Sequence, residues 1–89
     1  MAGIDILNEA SAVGLILLMK AEGEIHSSDL RRARGGYDRL KKLASRMEEE
    51  GLIEIETIKD PYFQVNYRLT EKGIKIADKL AEIDDLILE

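Results

Sequence analysis

Basic side chains are concentrated in one segment of this chain, between Arg31 and Arg46. The segment contains seven of the 13 lysine and arginine residues and a single acidic residue, Asp38. Such a cluster can neutralise phosphates and release their counterions, which supplies much of the affinity of proteins for duplex DNA. A solvated helical face is the ordinary alternative, but such faces usually interleave both signs of charge. The one-sided charge therefore predicts a DNA-binding surface.

The sequence offers few residues in arrangements that could perform catalysis. The single histidine, His26, precedes Ser27, Ser28 and Asp29. Consecutive residues cannot align the nucleophile, base and orienting acid of a hydrolase triad. We therefore expect these side chains to cap a helix. There is no cysteine for a thiolate metal site, and no glycine-rich phosphate loop follows a strand. We predict no enzyme activity, no metal and no cofactor.

Length and composition indicate one small domain spanning residues 1–89, which is 45% hydrophobic and 35% charged with a net charge of −5. The longest apolar run, residues 13–19, is too short to span a bilayer, so we expect no membrane partner. The absence of cysteine favours a cytoplasmic location. Because a chain of this size buries only part of its surface, a homodimer is expected.

Three helices are predicted in the first half of the chain. The first begins at Asp5 or Asn8 and ends near Gly23, and Ile25 fits a very short strand. The second begins around Asp29 and ends at residues 35–36, where two glycines permit a sharp turn. The third spans about residues 37–50. The inward positions, spaced by three and four, are Leu7, Ala10, Gly14, Leu17, Leu18 and Ala21, then Leu30 and Ala33, then Leu40, Leu43, Ala44 and Met47.

After Gly51 the pattern changes to the two-residue period of β-strands. Two alternating runs flank Pro61 and predict an antiparallel hairpin: Ile53, Ile55 and Thr57, then Phe63, Val65, Tyr67 and Leu69. Thr70 is a cap for a final helix. The apolar residues of that helix fit a seam with a second copy or burial against the first helix: Ile76, Leu80, Ile83 and Ile87.

This order of elements predicts an α+β, mainly helical fold of the winged-helix type. It comprises a three-helix core with a helix-turn-helix, a two-stranded β-hairpin wing and a C-terminal dimerisation helix. The winged helix-turn-helix is expected over about residues 8–69 and the final helix over about residues 70–88.

Three strings resemble MarR/PadR-type and related archaeal transcriptional regulators. Residues 25–30 (IHSSDL) resemble the entry to their second helix, and residues 46–53 (RMEEEGLI) resemble the end of their third. Residues 67–73 (YRLTEKG) are similar to the end of the wing and the start of the dimerising helix. The resemblance covers roughly residues 8–88. It implies a homodimer that places helix three, about residues 37–50, in the major groove and regulates transcription.

In a helix-turn-helix, the first of its two helices crosses the DNA backbone and the start of the second meets base edges. We therefore expect phosphate contacts from helix two and sequence-specific base contacts from Arg39 and Lys42. Tyr37 could contact a phosphate or pack on the turn. The acidic residues 48–50 should point away from DNA. The candidate DNA-binding residues are Arg31, Arg32, Arg34, Tyr37, Arg39, Lys41, Lys42, Ser45, Arg46 and Lys59.

Two other interpretations remain open. The acidic net charge and a wing whose cations are Lys59 and Arg68 are compatible with a protein-interaction module or a subunit of a larger complex. A repressor with a ligand or metal pocket at its dimer interface is the third, although no distinctive residues support it. The sequence does not identify an operator or an effector.

Overall fold

A computed structural model describes residues 3–32 and 35–89 of the chain. The elements, in chain order, are a 3-10 helix (Ile4–Asn8), α1 (Ala12–Glu22), β1 (Glu24–His26), α2 (Ser27–Arg32), α3 (Tyr37–Glu49), β2 (Ile53–Ile58), β3 (Gln64–Leu69) and α4 (Glu71–Leu88). Four helices and a small antiparallel sheet make the α+β, mainly helical winged helix that the sequence predicts. In the described part, no helix is long and apolar enough to cross a membrane.

The three strands form one sheet in the order β1-β3-β2, with both pairings antiparallel. The predicted hairpin of β2 and β3 is confirmed. The short strand predicted at Ile25 is β1, the third strand of the sheet. Ile25, Tyr67 and Ile55 are neighbours across the three strands. Tyr67 is only 2% exposed, and this burial raises the pKa of its hydroxyl. The sheet thus turns one face to the core.

The core lies between this face and the helices. Its largest fully buried side chains come from α1, β1, α2, α3 and β2: Ile16, Met19, Ile25, Leu30, Leu40, Met47 and Ile53. The four inward positions predicted for α3, namely Leu40, Leu43, Ala44 and Met47, are all buried. Leu30 of α2 is also buried as predicted, whereas Ala33 lies outside the described residues.

The predicted apolar stripe of the first helix is wrong at three of its six positions, whereas Leu7 and Leu18 pack against the core and Leu17 is half-buried. Ala10, Gly14 and Ala21 are exposed, and α1 instead buries Ala12, Leu15, Ile16 and Met19. Residues 4–8, which were expected to begin the same helix, form a separate 3-10 helix. Nearly every residue from Ala12 to Met19 is apolar, so the sequence has no polar face to show which side of α1 is buried.

The alternation predicted for the hairpin holds for only part of it. Ile53 is buried and Ile55 half-buried, but Thr57 is exposed. Phe63 precedes β3 and is exposed, as is Tyr62, because the hairpin loop carries both residues away from the core.

The start of α4 is joined closely to the segment that follows α3. The Thr70 hydroxyl accepts a hydrogen bond from the Gly73 amide at 3.1 Å, the cap that the sequence predicts, and donates to the Gly51 carbonyl at 2.6 Å. The Thr70 amide donates to the Leu52 carbonyl at 3.0 Å. A β-carbon added to Gly73 would lie 2.0 Å from that same carbonyl oxygen. Only glycine lets the helix approach the Leu52 backbone so closely.

We therefore expect Gly73→Ala to destabilise the protein by about 1–3 kcal/mol, since the backbone of Leu52 must move to admit the methyl group. Gly14→Ala is the matched control, because Gly14 is also helical and its added β-carbon would meet no atom within 4 Å. There we expect stabilisation of about 0.5–1 kcal/mol from helix propensity. Chemical denaturation measures both, and equal responses would contradict the close packing of α4 on Leu52.

Candidate nucleic-acid interface

The two helices of the predicted DNA-binding motif are α2 and α3. The turn between them includes Gly35 and Gly36, with φ values of 113° and 85°. These angles are accessible to glycine and disfavoured for residues with a β-carbon. Leu30 of α2 and Leu40 of α3 anchor both helices in the same core. This arrangement is a helix-turn-helix whose second helix exposes one complete side.

The helix α2 starts at Ser27, two residues before the predicted position. Its first turn is capped by Asp29, whose carboxylate accepts a hydrogen bond from the His26 amide at 2.8 Å. This bond and the neighbouring Arg32 guanidinium hold the pKa of Asp29 below its usual value. Asp29 therefore supplies the cap that was expected from the side chains of His26, Ser27 and Ser28.

The imidazole of His26 has a different role from capping. Its Nδ1 atom lies 2.5 Å from Oδ1 of Asn66, which also accepts a hydrogen bond from the Gln64 amide group at 2.8 Å. Asn66 is buried, and these bonds satisfy its carbonyl oxygen. His26 is thus a structural residue that joins β1 to β3.

The exposed side of α3 is defined by the residues that it buries. At about 100° per residue, the side opposite Leu40 and Met47 carries Asp38, Lys42 and Ser45. All three are exposed, as is Lys41 on one flank. On the part of the chain that the structure describes, no carboxylate lies within ion-pair distance of Lys41 or Lys42. Lys41 and Lys42 are therefore exposed without an ion-pair partner in this part of the chain, and their role in binding DNA stays a prediction.

Asp38 was not among the predicted DNA-binding residues, yet it occupies the centre of this exposed side. A carboxylate there can accept a hydrogen bond from the amino group of cytosine. The signal in the sequence was its spacing of four residues from Lys42, which places both on one helical face.

The other flank of α3 carries Arg39 and Arg46, and the protein itself contacts both. Arg39 donates from Nε to the Gly35 carbonyl at 2.7 Å, from Nη1 to the Ala10 carbonyl at 2.7 Å and from Nη2 to the Ser11 hydroxyl at 2.9 Å. Arg46 forms an ion pair with Glu9. The predicted base-reading role of Arg39 would require this set of bonds to rearrange.

The cations predicted on α2 are placed differently from one another. Arg31 lies over the Tyr37 ring, 4.8 Å from its centroid, which identifies packing on the turn as one role of Tyr37. Arg32 forms an ion pair with Asp29 at 2.5 Å but keeps an exposed side chain. Arg34 lies outside the described residues. Arg31 thus belongs to the same helix-turn-helix as Lys42, and its guanidinium packs on the Tyr37 ring.

The wing offers little positive charge. Lys59 is exposed in the hairpin loop, on a separate element from α2 and α3. Arg68 pairs with Glu54 and Glu24 on the two neighbouring strands, at 3.1 and 3.4 Å. The hydrogen bond that Arg68 donates to the Glu54 carboxylate is the main reason that the pKa of Arg68 is raised. Arg68 therefore holds the sheet together and has its charge compensated within it.

Residues 48–50 place three exposed glutamates at the carboxyl end of α3. The helix consequently has cations along most of its length and anions at its end. Across the described ranges, 3–32 and 35–89, no group of three potential ligands could hold a metal ion.

A family comparison agrees with this arrangement. The chain matches the model of the HxlR-like helix-turn-helix family over residues 12–89, which span the helix-turn-helix, the hairpin and α4. A comparison with curated proteins found no match. The family match does not confirm the more specific resemblance to MarR/PadR-type regulators or an archaeal source. With most of its length covered, the chain belongs to the HxlR-like helix-turn-helix family and is a DNA-binding transcriptional regulator by that membership.

Proposed function

We propose that the protein is a sequence-specific regulator that binds double-stranded DNA as a homodimer. Helix α3 enters the major groove with Asp38, Lys42 and Ser45 facing the base edges, and α2 lies along the phosphate backbone. An α-helix fits the major groove of B-DNA, where each base pair presents a distinct pattern of donors and acceptors.

The observation that carries this proposal is the outward side of α3. Over the first turns of the helix it combines one cation, one carboxylate and one hydroxyl at positions that a straight helix directs together away from the core, and Glu49 lies on the same side at the carboxyl end. A set of donors and acceptors suits base recognition better than uniform positive charge, which would bind phosphates without regard to sequence. Lys41 and Arg31 add cations beside this side, where phosphates would flank the groove.

The overall acidity of the protein is compatible with this orientation. With a net charge of −5, most of the surface is repelled by DNA, and the basic segment is the part that is attracted. Electrostatic attraction to one face orients a protein as it approaches a charged partner.

We expect Lys42→Ala and Arg31→Ala to have different effects on DNA binding. Lys42→Ala should weaken binding to a selected site by about fivefold or more, with a smaller loss on random duplex, because a base contact is removed. Arg31→Ala should weaken both duplexes alike and reduce the slope of log K against log salt by about 0.9, because a phosphate contact is removed. Fluorescence anisotropy across a salt series, on a duplex selected from a random pool, measures both.

Equal losses for the two variants on both duplexes would contradict these roles. Wild-type binding that is absent at low salt, or that does not depend on salt, would contradict DNA binding itself.

The proposed homodimer is supported by an apolar groove beside α4. The groove has a volume of about 540 Å³, and the 3-10 helix, α4 and Leu52 form its walls. Ile76, Leu80 and Ile83 of the predicted seam line it. Beyond the groove, the last turns of α4 expose Leu86, Ile87 and Leu88. An exposed apolar strip of this kind on a small protein favours association.

The charges on α4 favour an antiparallel pairing with a second copy. Lys72, Lys75 and Lys79 lie on the rim of the groove in the first half of the helix. The second half carries acidic residues beside its exposed apolar ones: Glu82, Asp84, Asp85 and Glu89. Two antiparallel copies would set the acidic half of each helix against the three lysines of the other, in a half that also carries Glu71 and Asp78 and has a net charge of +3 − 2 = +1. Complementary charges at the edges of an apolar seam fix the direction of a helix pair.

We expect Ile83→Asp to shift the protein from dimer to monomer, because a carboxylate would be buried in the seam without a partner. Ile74→Asp is the matched control: the two isoleucines have similar exposure, 51% and 49%, and lie on opposite sides of α4 at about 100° per residue. Light scattering at micromolar concentration measures the mass of each variant. A monomeric wild type, or a dimer unaffected by Ile83→Asp, would contradict this seam.

One observation favours the alternative of a protein-interaction module. Tyr62 and Phe63 expose 72% and 70% of their surface at the hairpin loop, and adjacent exposed aromatics are common in protein interfaces. If the wild type fails to bind DNA in the salt series, this loop becomes the primary candidate for a partner surface.

A further inference from the structure

The segment that precedes α1 engages two arginines of the DNA-facing helix. Arg39 and Arg46 are seven residues apart, about two helical turns, and so lie on the same flank of α3. Three consecutive residues supply partners to both: Glu9 to Arg46, and Ala10 and Ser11 to Arg39, which also donates to the Gly35 carbonyl. No other element contributes a side-chain acceptor to these two guanidinium groups among the described residues.

The backbone of this segment is shaped for these contacts. Ser11 has a φ of 73° and is the one described residue other than glycine with a positive φ. Side chains disfavour this left-handed conformation. With Ser11 in this conformation, the Ala10 carbonyl and the Ser11 hydroxyl both accept hydrogen bonds from the Arg39 guanidinium. The Ser11 carbonyl also accepts the amide of Leu15 at 2.8 Å, within the first turn of α1.

These contacts compete with DNA for the same donors. All three nitrogens of the Arg39 guanidinium donate to the protein, and the Arg46 guanidinium is paired with the carboxylate of Glu9. Phosphate and carboxylate are recognised by arginine with the same planar geometry. Two cations of the predicted interface are therefore already satisfied in the free protein.

We propose that residues 9–11 are an autoinhibitory latch, which holds Arg39 and Arg46 against the body of the protein and lowers its affinity for DNA. The proposal rests on the proposed function, in which α3 faces DNA. Both side chains of the Arg46–Glu9 pair are about half exposed, at 52% and 41%. Exposed pairs are weak, so DNA can displace Glu9 and the latch reduces affinity without abolishing it.

The test is a double-mutant cycle on DNA affinity with the full chain, using the wild type, Glu9→Ala, Arg46→Ala and the double variant. Removing Glu9 should tighten binding about two- to fivefold, because Arg46 is freed for a phosphate. It should also increase the salt dependence, by about 0.9 in the slope of log K against log salt for one further phosphate contact. In the Arg46→Ala background the same change should have little effect on affinity.

A control separates release of Arg46 from the simple loss of a negative charge. Glu22→Ala removes an exposed carboxylate from the end of α1 that forms no ion pair in the described part of the chain, and it should leave affinity nearly unchanged. Thermal denaturation of each variant verifies that the fold is retained.

Three results would overturn the latch. The first is an equal gain from Glu9→Ala in both backgrounds, which would indicate a long-range charge effect. The second is a wild type that binds DNA while Glu9→Ala binds no more tightly, in which case the proposed function survives and only the latch fails. The third is that neither protein binds any duplex, in which case both proposals fail.

Discussion

The orientation of the DNA-facing helix depends on the burial of its opposite side. Leu40, Leu43, Ala44 and Met47 fill a core that α1, α2 and the sheet also enter. Because a helix is rigid, fixing these four side chains fixes the direction of every residue on the other side. Asp38, Lys42 and Ser45 face solvent as a direct result. Apolar packing on one side of α3 thus sets the direction of the polar side chains on its other side.

The cations of α2 and α3 fall into two groups, according to whether the protein itself supplies their hydrogen-bond or ion-pair partners. Lys41 and Lys42 have no ion-pair partner in the described chain, and Arg31 rests on an aromatic ring. Arg32, Arg39 and Arg46 are bonded to residues of the same molecule. In a chain with 18 acidic residues, a cation near a carboxylate loses part of its availability to a ligand. The free positive surface is therefore smaller than the basic segment of the sequence indicates.

Much of the fold could be predicted from sequence because its signals are local. The caps, the glycines and the change from a helical to a two-residue period mark α3, the hairpin and α4. The buried side of α1 could not be predicted, because an almost wholly apolar helix lacks a polar face to orient it. Nor could the contacts of Arg39 and Arg46 with residues 9–11, which lie 28 to 37 residues away in the chain. Such hydrogen bonds and ion pairs follow from the assembled fold.

The wing illustrates the same limit. Arg68 is the central residue of a row that includes Glu24 and Glu54, and this row exists only because β3 lies between the other two strands. In the sequence, Arg68 is one of the two cations of the wing, and its partners are not evident. The order of the strands places Glu24 and Glu54 on either side of it. The large exposed apolar side chains of the hairpin loop are the aromatic ones of Tyr62 and Phe63.

In the proposed homodimer, the unequal charge of the two halves of α4 has a consequence for the fidelity of pairing. Aligned in the same direction, two copies would oppose lysine to lysine and carboxylate to carboxylate, which disfavours that arrangement. A helix with mixed charges along its length would match it less well, so the pattern favours pairing with an identical copy. Because this selection is electrostatic, it would weaken as ionic strength rises, together with the attraction of the protein to nucleic acid.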